Sequence, residues 1–196
     1  MHLDILESEI YLYNSVIPNV DELIFEIEDT DYFLNENTSL SKWKDWYASG
    51  DAKVQYGWQK NLKRSNSQEE IDLKCNFVFD TISNAFNECI FDYINRKSMS
   101  EPFNGVNKFV INKYMPGAEM GPHTDSYNGV AQEVRSVLLY LNDDYEGGEI
   151  EFPNHGIKIK PKAGSILIFP PLPPYTHIAH VVKSNNKWFV PGFWEK

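Results

Sequence analysis

Residues 133–169 of this chain read EVRSVLLYLNDDYEGGEIEFPNHGIKIKPKAGSILIF. Runs of β-forming residues occupy 133–142, 148–152, 156–160 and 165–169, and Gly, Pro and Asn separate them. Short runs at close spacing, with turn residues between them, are typical of a β-sandwich or barrel. We therefore predict that this part of the chain is mainly β.

The same pattern of short β-forming runs continues on both sides of this stretch. Further strands are predicted at 9–13, 107–114, 177–182 and 188–193. No internal repeat or low-complexity tract interrupts the pattern, and 196 residues are enough for one core. We predict a single domain over 1–196, with supporting elements in about 1–105 and a jelly-roll core in about 106–196.

Two helices are predicted to support this core. A short helix follows Asn19, and a longer helix runs from 67 to 98, with apolar residues at every third or fourth position. Cys75 and Cys89 both fall on the longer helix, ~21 Å apart at the helical rise, which is too far for a disulfide between them. Nothing on this helix indicates catalysis.

Charge restricts the partners that the chain can bind. The formal net charge is −10, whereas nucleic acids and anionic membranes are bound through lysine and arginine patches. We expect neither partner. The first residues are acidic where a signal peptide is basic, and no apolar run approaches membrane-spanning length. We expect a soluble cytoplasmic protein.

A candidate metal site lies in the stretch Gly121-Pro122-His123-Thr124-Asp125. Side chains two apart on a strand project from one face, so His123 and Asp125 can converge on one point. A second imidazole added to this pair would form the facial triad of non-haem Fe(II) oxygenases. The candidates for that imidazole are His155, His177 and His180, and ligand chemistry alone leaves the choice open.

Blocks of sequence follow His123 in a characteristic order: 135–142, 147–152, 161–169, His177 and Lys187-Trp188. This order and spacing resembles the 2-oxoglutarate- and Fe(II)-dependent dioxygenases, most closely their prolyl 4-hydroxylase-like branch. The resemblance covers roughly residues 109–194. It implies a double-stranded β-helix, the jelly roll of cupin-like proteins, braced by helices. It also implies Fe(II) as the metal, 2-oxoglutarate as cosubstrate and ascorbate as a further ligand.

The resemblance selects the third metal ligand. The family places a basic residue ten positions after its distal histidine, and Lys187 follows His177 by ten residues. His123, Asp125 and His177 are therefore the implied ligands. His180 is three residues from His177 and should face the opposite side of the strand. An aspartate at position 125 also favours hydroxylation, since related halogenases have a small residue there.

Three further residues are assigned to the cosubstrate. Lys187 lies beside Trp188 and Phe189, which suggests a partly buried ammonium in need of an anion, and a carboxylate of 2-oxoglutarate fits that need. By resemblance, Tyr140 donates a hydrogen bond to the same carboxylate, and Tyr114 faces the cosubstrate.

Other polar residues of the core are expected to be structural. For Arg135 we predict a structural salt bridge. Val137, Leu139 and Leu141 share its face of the strand and would point away from Tyr140. Glu149 and Glu151 are expected to be solvated, and Gly147-Gly148 to form a turn.

The implied reaction is the hydroxylation of a prolyl residue in a peptide or protein. Aromatic residues between Trp43 and Trp58 are candidates for a substrate wall, although packing as edge strands is the favoured interpretation. Three alternatives remain: hydroxylation of a free amino acid or another small molecule, demethylation of nucleic acid, and a cupin-like module that binds a metal or small acid without turnover. The oligomeric state is left open.

Overall fold

The structure, a computed structural model, describes residues 1–29, 44–46, 57–62, 70–100, 103, 105, 109–126 and 133–195. The helices in these ranges are α1 (Val20–Asp29), α2 (Glu70–Lys97) and a 3₁₀ turn (Pro153–His155). The strands are β1 (His2–Glu7), β2 (Ile10–Asn14), β3 (Lys44–Trp46), β4 (Gly57–Leu62), β5 (Phe109–Tyr114), β6 (Met120–His123), β7 (Glu133–Tyr140), β8 (Glu146–Gly147), β9 (Ile150–Phe152), β10 (Ile157–Ile159), β11 (Ser165–Phe169), β12 (His177–Ala179), β13 (Val182–Ser184) and β14 (Lys187–Glu195).

Two antiparallel sheets form the centre of the fold. The larger sheet has eight strands in the order β1-β2-β11-β7-β14-β5-β4-β3. The smaller sheet has four strands in the order β10-β9-β12-β6, and β13 pairs separately with β8. Neighbouring strands of the sheets are mostly distant in sequence, as expected for a jelly roll.

Each central strand of the larger sheet contributes side chains to two hydrophobic clusters, one on each face of the sheet. On β7, Val137 and Leu139 are fully buried in the cluster that includes α1 and α2. Tyr140 lies in the second cluster, which contains residues of both sheets, and Leu138 packs against it. This alternation is the period of two that a strand imposes on its side chains. It leaves one face of the larger sheet for a site between the sheets.

Helix α2 supplies the support that its apolar stripe predicts. Phe79, Ile82, Phe86 and Tyr93 are all buried against the larger sheet. Burial of side chains of this size typically contributes ~1.5–3 kcal/mol each. Residues 67–69 of the predicted helix lie outside the described residues.

Most predicted strands are confirmed, with two corrections. The opening strand is β2, but the residues before it also form a strand, β1, which the sequence did not predict. The run predicted at 148–152 is a strand only from Ile150, and the run predicted at 177–182 divides between β12 of the smaller sheet and β13, which pairs with β8. Gly147 and Gly148 both have positive φ, and the backbone N–H of Gly148 donates to Val181. The turn predicted at Gly147-Gly148 therefore shortens the strand that follows it.

Arg135 forms the predicted structural salt bridge. Its Nη2 lies 3.0 Å from Glu9 Oε2, and its Nε donates to the Tyr93 hydroxyl at 3.0 Å. The Tyr93 hydroxyl in turn donates to Glu9 Oε2 at 2.9 Å. These contacts tie β7 to α2 and to the turn between β1 and β2.

The aromatic segment between Trp43 and Trp58 is described only in part. Backbone strands β3 and β4 occupy one edge of the larger sheet, which agrees with the edge-strand interpretation. Residues 43 and 47–56 lie outside the described residues, so the predicted substrate wall stays a prediction. Within the part of the chain that is described, no helix has the length and apolar character needed to span a bilayer.

Candidate functional site

His123, Asp125 and His177 come together on the smaller sheet. His123 ends β6 and His177 begins β12, and the two are direct partners in the antiparallel register. Asp125 Oδ1 lies 3.7 Å from His123 Nε2 and 3.6 Å from His177 Nε2. One ligand atom from each of the three residues lies within 4.8 Å of the others, so a single ion can contact all three.

Asp125 reaches this point by a different route from the predicted one. Strand β6 ends at His123, and Asp125 lies in the bend that follows. The N–H of Ser126 donates to Pro171 at 3.2 Å, which holds the bend against a neighbouring loop. The convergence of His123 and Asp125 is therefore produced by a turn rather than by strand alternation.

The two imidazoles are oriented by backbone carbonyls. His123 Nδ1 lies 2.8 Å from the carbonyl of Gly121, and His177 Nδ1 lies 3.2 Å from the carbonyl of Tyr175. A carbonyl only accepts, so each Nδ1 carries the proton and donates. Each Nε2 then presents a lone pair, as in metal sites whose histidines are held by outer hydrogen bonds.

The donor set fits a divalent metal. Asp125 Oδ2 is buried and has no hydrogen-bond partner among the described residues. Burial lowers the pKa of the His177 imidazole to about 4, so this ring is neutral and able to coordinate near neutral pH. Two neutral imidazoles and one carboxylate form the set that non-haem Fe(II) oxygenases use. In the described part of the chain, this is the one cluster of three such side chains.

The other candidate histidines lie outside this cluster. His180 Nε2 is 2.5 Å from Glu151 Oε2, and both side chains are half-buried. The prediction that His177 and His180 face opposite ways is confirmed, whereas the prediction that Glu151 is simply solvated is wrong. His155 stacks on Tyr175, with ring centroids 4.7 Å apart.

A cavity of about 260 Å³ joins this cluster to the larger sheet, and its lining includes Lys187, Tyr140 and Tyr114. Lys187 is only 3% exposed, and its Nζ donates to the carbonyl of Gly148 at 2.7 Å. Gly148 has φ +65, and a Cβ there would lie 2.9 Å from the ring of Tyr145. The close approach of this backbone to Lys187 therefore requires glycine.

The environment of Lys187 suits an anion. Burial lowers the pKa of its ammonium to about 7. The ammonium lies 5.3 Å from the ring centroid of Tyr140 and 5.2 Å from that of Phe189. Burial raises the pKa of both the Tyr140 and the Tyr114 phenols, so each keeps its proton and can donate it to an acceptor. A cation beside phenol donors in an otherwise apolar pocket is suited to a carboxylate.

Asn112 also lines the cavity, although no sequence motif pointed to it. It lies on β5 two residues before Tyr114, on the same strand face, and is 4% exposed. Strand parity from Tyr114 was the signal that could have identified it.

The core of the chain matches a known family. Residues 109–195 match the model of the 2OG-Fe(II) oxygenase superfamily, a segment that contains His123, Asp125, His177, Lys187 and Tyr140. The predicted resemblance is confirmed over this segment, which is similar to the 2-oxoglutarate/Fe(II) oxygenases.

Two relatives that are similar in sequence are named as prolyl 4-hydroxylases, one as putative and one as probable. A putative prolyl 4-hydroxylase of Acanthamoeba polyphaga mimivirus is 29% identical over 163 residues, which are 74% of this chain and 62% of that protein. The chain thus spans about three fifths of that relative.

Solved structures of prolyl hydroxylases share the fold. One is a Trichoplax adhaerens prolyl hydroxylase, solved in complex with a peptide of the hypoxia inducible factor oxygen degradation domain. It superposes on this chain with a TM-score of 0.72 and is 14% identical in sequence. The match covers 95% of this chain and 83% of that one. A Pseudomonas putida prolyl-4-hydroxylase has a TM-score of 0.67 and 16% identity, over 96% and 92%. The double-stranded β-helix is thereby confirmed.

Proposed function

We propose that this protein is a 2-oxoglutarate- and O₂-dependent hydroxylase that acts on a prolyl residue of a peptide or protein. The observation that carries the proposal is a single cavity with a two-histidine, one-carboxylate cluster at one wall and a buried ammonium beside a phenol at another. The prolyl specificity rests on the similar proteins, which are named as prolyl hydroxylases.

His123, Asp125 and His177 would hold Fe(II) in this reaction. When bound, Fe(II) and 2-oxoglutarate supply the oxidation of a C–H bond by O₂, in which 2-oxoglutarate becomes succinate and carbon dioxide. One oxygen atom enters the new hydroxyl group and the other enters succinate. The protein's own part is to hold Nδ1 of each histidine on a backbone carbonyl, so that Nε2 faces the metal, and to place the carboxylate of Asp125 near both Nε2 atoms.

Lys187 and Tyr140 would bind the carboxylate of 2-oxoglutarate that is remote from the keto group. The ammonium supplies charge and the phenol a directed hydrogen bond, and neither is exposed to bulk water. Apolar residues, including Leu138, Ile150 and Phe189, line much of the cavity and limit the access of water. Exclusion of water strengthens charge-assisted contacts and protects a reactive site.

Tyr114 would face the cosubstrate from β5. It is 3% exposed and packs edge to face on Phe189, with ring centroids 4.9 Å apart.

We also propose that ascorbate serves as an auxiliary reductant, as the family resemblance implies.

Mass spectrometry of proline-containing peptides tests this function directly. The protein is incubated with Fe(II), 2-oxoglutarate and O₂, and both succinate release and peptide mass are followed. The expected result is a gain of one oxygen atom on proline, matched by an equal amount of succinate, and loss of both in Asp125→Ala.

Other outcomes would replace the proposal. Oxidation of free amino acids but not of peptides would indicate a small-molecule hydroxylase. Absence of succinate under every condition, with the metal bound, would indicate a binding module without turnover.

A further inference from the structure

Asn112 presents a buried amide to the cavity without an evident structural task. Its side chain lines the cavity from β5, between those of Val110 and Tyr114 on the same face. It is 4% exposed, and its Oδ1 has no hydrogen-bond partner within the described residues. A buried polar group without a partner destabilises the fold, and an apolar side chain of similar shape would avoid that cost. Such a group is expected where a bound ligand supplies the missing hydrogen-bond partner.

The proposed metal and cosubstrate contacts leave Asn112 unused. In the register of the larger sheet, Phe189 pairs with Asn112 on one side and with Tyr140 on the other. Two strand spacings therefore separate Asn112 from Tyr140, roughly 10 Å. Lys187 lies on β14 between these two strands, where it pairs with Tyr114, and its ammonium reaches to 5.3 Å from the ring centroid of Tyr140. A carboxylate held by both Lys187 and Tyr140 therefore lies toward β7, across β14 from Asn112.

We propose that Asn112 hydrogen-bonds a backbone peptide group of the substrate beside the residue that is oxidised. A carboxamide offers both a donor and an acceptor, and a peptide backbone offers the complementary pair. The rest of the nearby wall consists of Val110, Leu138 and Pro191, which can contact side chains but cannot orient a backbone. Asn112 is thus a residue that determines specificity for a peptide over a free amino acid. This inference rests on the proposed function.

Replacement of the amide by leucine tests the inference. Binding of a fluorescently labelled proline-containing peptide is measured by anisotropy, with Fe(II) and 2-oxoglutarate present and oxygen excluded. For Asn112→Leu we expect peptide affinity to fall about tenfold to a hundredfold, since a buried hydrogen-bonded pair is lost. Affinity for 2-oxoglutarate should stay within about twofold. The melting temperature without peptide should be unchanged or higher, because an unpaired buried amide is removed.

Ser136→Ala is the matched control. Ser136 is fully buried on β7, and its Oγ also has no partner among the residues described. It does not contribute to the described cavity lining. Its replacement should leave both affinities unchanged and should not lower the melting temperature. Asn112→Ala provides a second variant if leucine prevents folding.

The outcomes separate this inference from the proposed function. If the parent neither binds nor oxidises any proline-containing peptide, both are wrong. If the parent binds a peptide and Asn112→Leu binds it equally well, the inference alone is wrong. If affinity for 2-oxoglutarate falls as much as affinity for the peptide, the amide belongs to the cosubstrate site and the inference is overturned. If both Asn112 variants melt at a lower temperature than the parent, the amide serves the fold and the inference is likewise overturned.

Discussion

Lys187 should make the binding of 2-oxoglutarate depend on pH near neutrality. The side chain is buried, and burial lowers the pKa of its ammonium to about 7 in the free protein. Only the charged form pairs with a carboxylate, and the bound carboxylate raises this pKa again. Binding above pH 7 must therefore take up a proton, and binding below pH 7 does not.

The size of the effect follows from this pKa. Below pH 6 the ammonium is already charged and affinity should be constant. Above pH 7 the dissociation constant should rise about tenfold per pH unit, which amounts to about 25-fold between pH 6.5 and 8.5. Proton uptake on binding should increase from about 0.1 at pH 6 to about 0.9 at pH 8.

Isothermal titration calorimetry without oxygen measures both quantities. Titrations with saturating metal, in buffers of different ionisation enthalpy, give the affinity and the number of protons taken up. His177 does not interfere, since burial lowers the pKa of its imidazole to about 4. Lys187→Arg is the control, because a guanidinium stays charged over this range and should abolish the pH dependence. A flat affinity profile between pH 6.5 and 8.5, with no proton uptake by the parent, would refute this account of Lys187.

Four further substitutions test the site and the fold. His177→Ala should nearly abolish metal binding, measured by titration, whereas His180→Ala should leave it intact because its side chain pairs with a carboxylate away from the cluster. Tyr140→Phe should weaken 2-oxoglutarate binding about tenfold to a hundredfold in the same calorimetric assay, since a hydrogen bond to a charged group is lost. Gly164→Ala should lower the free energy of unfolding by roughly 1–3 kcal/mol or more in a denaturant titration. The backbone there has φ +74, and a Cβ would lie 2.0 Å from the carbonyl oxygen of Ile17.

Each of these expectations has a contrary result. Iron retained by His177→Ala or lost from His180→Ala would overturn the choice of ligand. Unchanged 2-oxoglutarate affinity in Tyr140→Phe would remove that phenol from the cosubstrate site. Gly156→Ala is the control for Gly164→Ala, since Gly156 also has a positive φ (+63) but open space around its Cβ position. Equal stability losses in the two variants would mean that the steric clash with Ile17 contributes nothing.

The sequence by itself determined the properties that depend on local period and spacing. Alternation along 133–142 predicted which face of β7 carries Tyr140, and the structure places Val137 and Leu139 on the opposite face. The separation of three residues predicted that His177 and His180 face opposite sides, and His180, one residue beyond β12, pairs with Glu151 outside the metal cluster. The inference for β7 succeeds because a strand fixes the direction of each side chain relative to its neighbours in the chain.

Only the tertiary structure decided how distant segments meet. His123 and His177 are 54 residues apart in sequence, and their direct pairing depends on β6 and β12 being neighbours in the smaller sheet. Asp125 joins them through a bend that strand parity did not predict, held by a contact between Ser126 and Pro171. Neither the pairing nor the bend is encoded in a local pattern, because both depend on packing between elements that are remote in the chain.

The same distinction explains the buried polar groups. A sequence shows that position 112 is asparagine and position 187 is lysine, but not whether water reaches them. Burial of Lys187, and hence its lowered pKa, arises because Tyr140, Tyr145 and Phe189 surround its ammonium in three dimensions. The absence of a partner for Asn112 Oδ1 among the described residues is likewise a property of the assembled cavity. Desolvation is set by all the elements that enclose a group, so it appears only when the sheets have closed around it.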